Sequence, residues 1–369
     1  MKRSILLIFC FLQIRAGQIS GQLYEPALSF TGFPVMDSIQ VAMDASIVCS
    51  PLADLEAMVM NKSAGRVTLG FTAESRPVEA WYFPGYGNER ALVIGGMHGS
   101  ELSSVEVTQT LIKELHQGPR PFFDVIIIPV LFPDNAVRAK TPGAEQVVNK
   151  GRYTSNDHAD PNRQMPSLGR AYDPLIPYDH AGRLIEMENQ YLLRLIQSFR
   201  PSRIANIHAI RDVSKAGIFA DPRTDCKGTA LGFENDSSLA VSMARIIHEG
   251  GGMVSGNKID TDPTALYHCD PRAAAAGQVQ KRNLHGSKLP SNRGYGVSLG
   301  GWATTAVCGD NDARDAMMLF TVEFPGYKAA SQITTGAELQ QHQQNTRLYA
   351  AALLKIFLQD STPVNEAGI

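Results

Sequence analysis

Strand, helix and strand follow one another in this chain, which predicts an α/β fold: a single domain on a mixed, mostly parallel twisted sheet with helices on both faces. Two short, unbroken apolar runs, Ala91-Leu-Val-Ile and Val125-Ile-Ile-Ile, read as strands buried on both faces. Between them, residues 105–116 repeat apolar side chains at helical spacing, with Leu111, Ile112 and Leu115 on one stripe. A hydrophobic share of 44% and a charged share of 19% suit a sizeable core. No Pro/Gly-rich linker divides the chain.

Taken in order, residues 22–64 are an entry segment with a helix expected over 52–60. Residues 67–71 and 78–83 have strand-like patterning, and 91–95 is a buried strand that runs into a glycine turn. The helix of 105–116 and the strand from 125 follow. Residues 133–180, rich in Pro, Asn, Asp and Gly, read as loops. An amphipathic helix over 184–199 is stopped by Pro201, and a strand over 204–207 follows it. Residues 237–248 form a helix closed by Gly250-Gly-Gly. The stretch 255–300 is too long for a mere connection and reads as a functional loop or a covering insertion. A buried strand at 318–322 and a helix over 337–358 complete the domain, which spans 65–358 ahead of a short tail, 359–369.

The 36 acidic and 34 basic residues leave a net charge of −2, without the basic footprint of a nucleic-acid binder. Lys2 and Arg3, then an apolar run to Ile14 and small residues to Gly21, have the layout of a secretory signal over residues 1–21. That predicts a secreted or periplasmic protein, and no later run approaches a membrane span. Beyond the signal stand Cys49, Cys226, Cys269 and Cys308, which permit one or two disulfides with three possible full pairings. Buried free thiols are the alternative.

The sharpest chemical signal is Gly95-Gly-Met-His98-Gly-Ser-Glu101, at the end of a strand where α/β folds place ligands. An imidazole and a carboxylate three residues apart can reach one metal ion if the turn between them is tight, and Gly96 and Gly99 permit that. Hydrolytic zinc sites take three protein ligands and keep one position open. His208, closing the strand Ile204-Ala-Asn-Ile, is the candidate third. Glu323, in the apolar strand Thr321-Val-Glu-Phe, would be costly to bury without a role. Gly296-Val-Ser298-Leu-Gly300 matches the nucleophile elbow of serine hydrolases, but no acid-then-histidine order follows it.

These residues resemble the zinc metallocarboxypeptidases, especially their short bacterial members, which include murein-peptide hydrolases. Asp160-Pro-Asn162-Arg163 resembles the family's grip on a substrate's terminal carboxylate, which a guanidinium fork suits. Arg152 resembles the arginine that steadies the oxyanion, and Thr321-Val-Glu323-Phe-Pro the strand that carries the catalytic glutamate. Ser298-Leu-Gly-Gly-Trp-Ala303 resembles the segment preceding that strand in the short members. Tyr295 is the nearest match to the substrate-capping tyrosine. Gln164-Met165 departs from the usual Asn and aromatic, and Arg211-Asp212 adds charge beside the metal. The resemblance implies Zn²⁺ on His98, Glu101 and His208, Glu323 as general base, and a peptide or amide substrate with a free carboxylate. Two alternatives stay open. One is an N-acyl amino acid deacylase of the succinylglutamate desuccinylase and aspartoacylase type; the other is a zinc-site protein that binds without turnover.

Overall fold

The computed structural model describes residues 51–359, except 142, 144–146, 148–149, 155–158, 260–283, 286–292 and 310–312. The chain divides into two units, Met1–Val48 and Cys49–Ile369, and only the second contains described residues. The expected export signal, Cys49 and Cys269 lie outside them.

Seven strands make the main sheet: β1 (Gly65–Phe71), β2 (Pro77–Phe83), β3 (Arg90–Ile94), β4 (Asp124–Ile128), β5 (Arg203–Ile210), β6 (Gly217–Asp221) and β7 (Met318–Pro325). Their order across the sheet is β1-β2-β4-β3-β5-β7-β6. The central pairs β4–β3, β3–β5 and β5–β7 are parallel, and β1, β2 and β6 run antiparallel to their neighbours. Every residue of β4 and all of β3 after Arg90 is buried, as the unbroken apolar runs require.

Alternate residues feed two cores. One gathers Val93, Ile127, Ile207 and Val322 under helices α2 (Leu102–Gln117), α5 (Phe233–Glu249) and α7 (Gly336–Ala352). The other gathers Leu92, Ile126, Ile204 and Leu319 under α1 (Pro51–Met60), α4 (Met187–Phe199) and the short α6 (Leu299–Ala303). Trp302 is fully buried there, and its Nε1–H donates to the Arg170 carbonyl at 2.8 Å, so the indole brings no orphaned donor into the core.

The sequence reading needs two corrections. Pro133–Lys140, expected as loop, forms a helix, α3, with Pro133 in its first turn, Asp134 near its N-terminus and Lys140 at its end. The last helix does not run unbroken to 358: α7 stops at Ala352, and a π-helical turn over Leu353–Phe357 completes it. Cys226 and Cys308, 82 residues apart, form a disulfide. Closing a loop of that length costs the unfolded chain about 4.5 kcal/mol of conformational entropy. Among the described residues no helix is long and apolar enough to cross a membrane.

Candidate metal centre

β3 ends at Ile94, and Gly96 takes a positive φ of 60° that turns the chain back across the sheet end. Gly99 then passes against α3, where an added Cβ would meet the Ala136 nitrogen at 2.3 Å. The Glu101 N–H donates to the His98 carbonyl at 3.0 Å, so the turn sets the two side chains on one side. Glu101 is the N-cap of α2, yet its carboxylate caps no backbone N–H of that helix. It points into the sheet end instead.

There two imidazoles converge on it. His98 Nδ1 lies 2.9 Å from Glu101 Oε1, and His208 Nδ1 lies 3.1 Å from Oε2. One ligand atom from each of the three residues falls within 4.8 Å of the others, and all three residues are buried. The Ala209 N–H also donates to Oε2 at 3.0 Å, and Arg152 Nη1 to Oε1 at 2.8 Å. The outer ring nitrogens are held too. His98 Nε2 donates to Asp160 Oδ1 at 2.8 Å. His208 Nε2 lies 2.9 Å from the Asn206 amide nitrogen, while Asn206 Oδ1 is buried without a partner. Turning that amide over brings Oδ1 onto an Nε2–H and satisfies both groups.

This arrangement fits a divalent cation. With Nε2 of each ring donating outward, Nδ1 keeps a lone pair toward the centre, the usual way an outer partner fixes the tautomer of a metal-binding histidine. A proton competes with the ion for the lone pair on His98. Burial opposes a charge on His98, but Glu101 and Asp160 outweigh it and raise its pKa to about 9. Burial likewise opposes ionising Glu101 and Asp160, yet His98 and His208 hold Glu101, and His98 with Arg163 and Arg152 hold Asp160, well below the carboxylate range. The nest therefore holds carboxylate charge that only cations can answer.

Glu323 stands beside it. In the parallel β5–β7 pair it is in register with His208, so the two side chains share a face of the sheet. Burial raises its pKa, the charge of His208 pulls the other way, and Glu101 adds to the rise. Asn162 is fixed by accepting the Leu299 N–H on Oδ1 at 2.9 Å, and its Nδ2 lies 3.3 Å from His208 Nε2. Arg163 follows on the same 3-10 turn, its pKa lowered by burial and raised in part by Asp160. The fold thus brings together His98, Glu101, His208, Glu323, Arg152, Asn162 and Arg163. It does not bring in the Tyr295 hydroxyl, which lies 3.3 Å from His180 Nε2. Ser298 is no nucleophile: its hydroxyl caps α6 by accepting the Gly301 N–H at 3.0 Å.

Two residues beyond those read from sequence, Asn206 and Asp221, belong to this surround, and Asp160 takes a role there that the sequence did not give it. Asn206 sits two residues before His208 and so on its face, a relation that period-two alternation could have flagged. Asp160 stood out only as part of a carboxylate grip, yet it holds His98. Asp221, at the end of β6, accepts the Thr321 hydroxyl at 3.1 Å beside Gly300; nothing local in the sequence marks it.

No family model and no curated protein matches the chain. Among solved structures it is similar to a putative metallopeptidase from Shewanella amazonensis at 15% identity, covering 81% of this chain and 88% of that one, with a TM-score of 0.40. It is similar at 16% identity to the murein-tripeptide amidase of Escherichia coli O157, over 81% and 93% of the two chains at a TM-score of 0.42. A third likeness is to the carboxypeptidase A of Helicoverpa armigera, at 16% identity, 81% and 72% coverage and a TM-score of 0.41. Likenesses at this level transfer no activity to this chain.

Proposed function

We propose that the chain is a zinc-dependent hydrolase of the metallocarboxypeptidase type, cleaving a peptide or amide bond next to a free carboxylate, with cell-wall peptide among its substrate classes. The observation that carries this is the convergence of His98 and His208 through Nδ1 on Glu101, with Glu323 in register beside His208. Two imidazoles and one carboxylate are a zinc donor set that leaves a coordination position free. The bound ion would supply Lewis acidity to a carbonyl and make water more acidic.

The chain's own residues do the rest. Glu323, its pKa raised by burial, takes a proton from the attacking water and returns it to the leaving amine. Arg152 commits Nη1 to Glu101 at 2.8 Å and sets Nη2 3.5 Å from Asp160 Oδ2, and its guanidinium supplies positive charge for the oxyanion. Asn162 and Arg163 fix the substrate's carboxylate on the opposite side of the scissile bond. Tyr295, freed from His180, is the candidate cap. Residues 65–358 are the catalytic domain, and residues 1–21 direct export, with which the Cys226–Cys308 disulfide accords.

Metal analysis and substrate profiling test the reading together. Purified protein should carry about one zinc ion per chain and lose activity on chelation. His98→Ala and His208→Ala should stay folded without metal; stoichiometric zinc in either removes the assignment. Peptides with a free C-terminus should be hydrolysed in preference to N-acyl amino acids. The reverse preference would move the chain to the deacylases, and metal binding without turnover of either would make it a binding protein.

A further inference from the structure

Beside the metal nest lies a cavity of about 460 Å³ that the mechanism above does not use. Ser100, between the ligands His98 and Glu101, forms part of its wall. Arg211, three residues past His208, and Tyr327-Lys328, just past Glu323, form another part, and Lys140 and Lys150 complete it. Four cations thus face one chamber, and no acidic side chain among the described residues lines it. Nor does a described carboxylate form an ion pair with Lys140, Lys150, Arg211 or Lys328; Arg211 lies over the Tyr327 ring instead, 4.5 Å from its centroid.

Elsewhere this protein neutralises its charge clusters. Arg76 and Arg138 pair with Glu74, Asp179 with Arg183, and Asp236 with Arg223. Four cations without a carboxylate partner among the described residues cost self-repulsion and favour an anionic occupant. The cavity shares no lining residue with the carboxylate grip, because neither Asn162 nor Arg163 reaches it. A substrate whose terminal carboxylate lies at Arg163 and whose scissile amide lies at the nest must send its acyl portion another way, and the ligand segment at Ser100 opens onto this chamber.

We infer that the cavity is the acyl-side subsite and that it selects peptides carrying carboxylates on the residues before the scissile bond. This deepens the proposed hydrolase reading and rests on it for direction. The recognition is long-range and charge-based, so it acts mainly on association and weakens with salt.

The test uses two peptides with the same C-terminal residue and scissile bond, one with glutamates and one with glutamines on the acyl side. The whole protein should show kcat/KM higher by roughly tenfold or more for the acidic peptide at low ionic strength. The advantage should shrink between ~0.05 and ~0.5 M salt, while kcat/KM for the neutral peptide, whose only carboxylate is the terminal one, should fall less. Lys140→Gln with Lys328→Gln should remove most of the preference and leave neutral-peptide turnover within about threefold; Lys150→Gln is the substitute if that pair does not fold. Equal kcat/KM for the two peptides in the unsubstituted protein would overturn the subsite. If neither peptide is hydrolysed, the hydrolase reading has failed separately. Fluorescence anisotropy of the labelled acidic peptide then decides the cavity's role: salt-sensitive binding lost in the double variant supports it, and equal binding of both peptides overturns it.

Discussion

Glu101 and Glu188 are both buried carboxylates on first helical turns or their caps, 5% and 7% exposed, yet their surroundings are opposite. Around Glu101 stand His98 and His208, whose charges overcome the cost of burial and keep it ionised, and Arg152, which donates to it. Glu188, near the start of α4, has no ion-pair partner among the described residues; burial, with Glu186 and Asp134 adding like charge, raises its pKa to about 7. Burial alone therefore does not mark a site. What distinguishes the strand-end nest is that donors from the turn after β3, from β5 and from Arg152 converge on one carboxylate. Glu323 falls between the two cases, half-buried, with its pKa raised by desolvation like that of Glu188, but in register with a ligand of the nest.

The largest effect expected from a single carboxylate is therefore at Glu323. Gln nearly keeps its shape but cannot take a proton from the attacking water. Glu323→Gln should retain fold, zinc and substrate binding and lower kcat by ~10²–10⁴-fold. If Glu323 instead resembles Glu188 in kind, stability will change and turnover of the folded protein will hardly move. A folded, zinc-loaded Gln variant with near-normal kcat would place Glu323 with the structural acids.

Much of this contrast can be read in the sequence. The nest's backbone is local: a strand, a glycine turn and His98-x-x-Glu101 are contiguous, and His208 and Glu323 each interrupt or end an apolar strand. What sequence could not supply is pairing across distance. Asp160 meets His98 from 62 residues away, and Cys226 meets Cys308 across 82. The register that sets Glu323 beside His208 belongs to the sheet order, which no local pattern encodes. Helix α3 was missed for a different reason. Its eight residues are mostly polar and carry no apolar stripe long enough to show, although proline at the start and lysine at the end were correct terminal signals.

A second way to sharpen the comparison is to remove a cation rather than an acid. Arg163 is half-buried beside Asp160, and we place it on the substrate's carboxylate. Arg163→Ala should weaken substrate binding by roughly 2–5 kcal/mol, because a desolvated charge loses its partner. Amidating the substrate's carboxylate should harm the unsubstituted protein and scarcely affect the variant. Equal sensitivity to amidation in both would assign the grip to another residue.

The smallest effect is expected at Glu188, in stability rather than activity. Its folded-state pKa of about 7 lies above the unfolded value near 4.5, so folding favours the protonated form. Any stability from that preference is complete below the unfolded value and is lost as pH rises through the folded one. Between pH ~4.5 and ~7 the native state must therefore either hold a proton the unfolded chain releases or bury an unpaired charge. Glu188→Gln removes the titration and keeps the volume. The variant should match the unsubstituted protein near pH 4 and exceed it by about 1–3 kcal/mol at pH 8, measured from denaturant midpoints across that range. Because both proteins share the histidines and carboxylates of the nest, the difference between their curves isolates Glu188. Parallel curves over the whole range would mean that Glu188 ionises in the fold at its ordinary pKa, and the contrast with Glu101 would then rest on geometry alone.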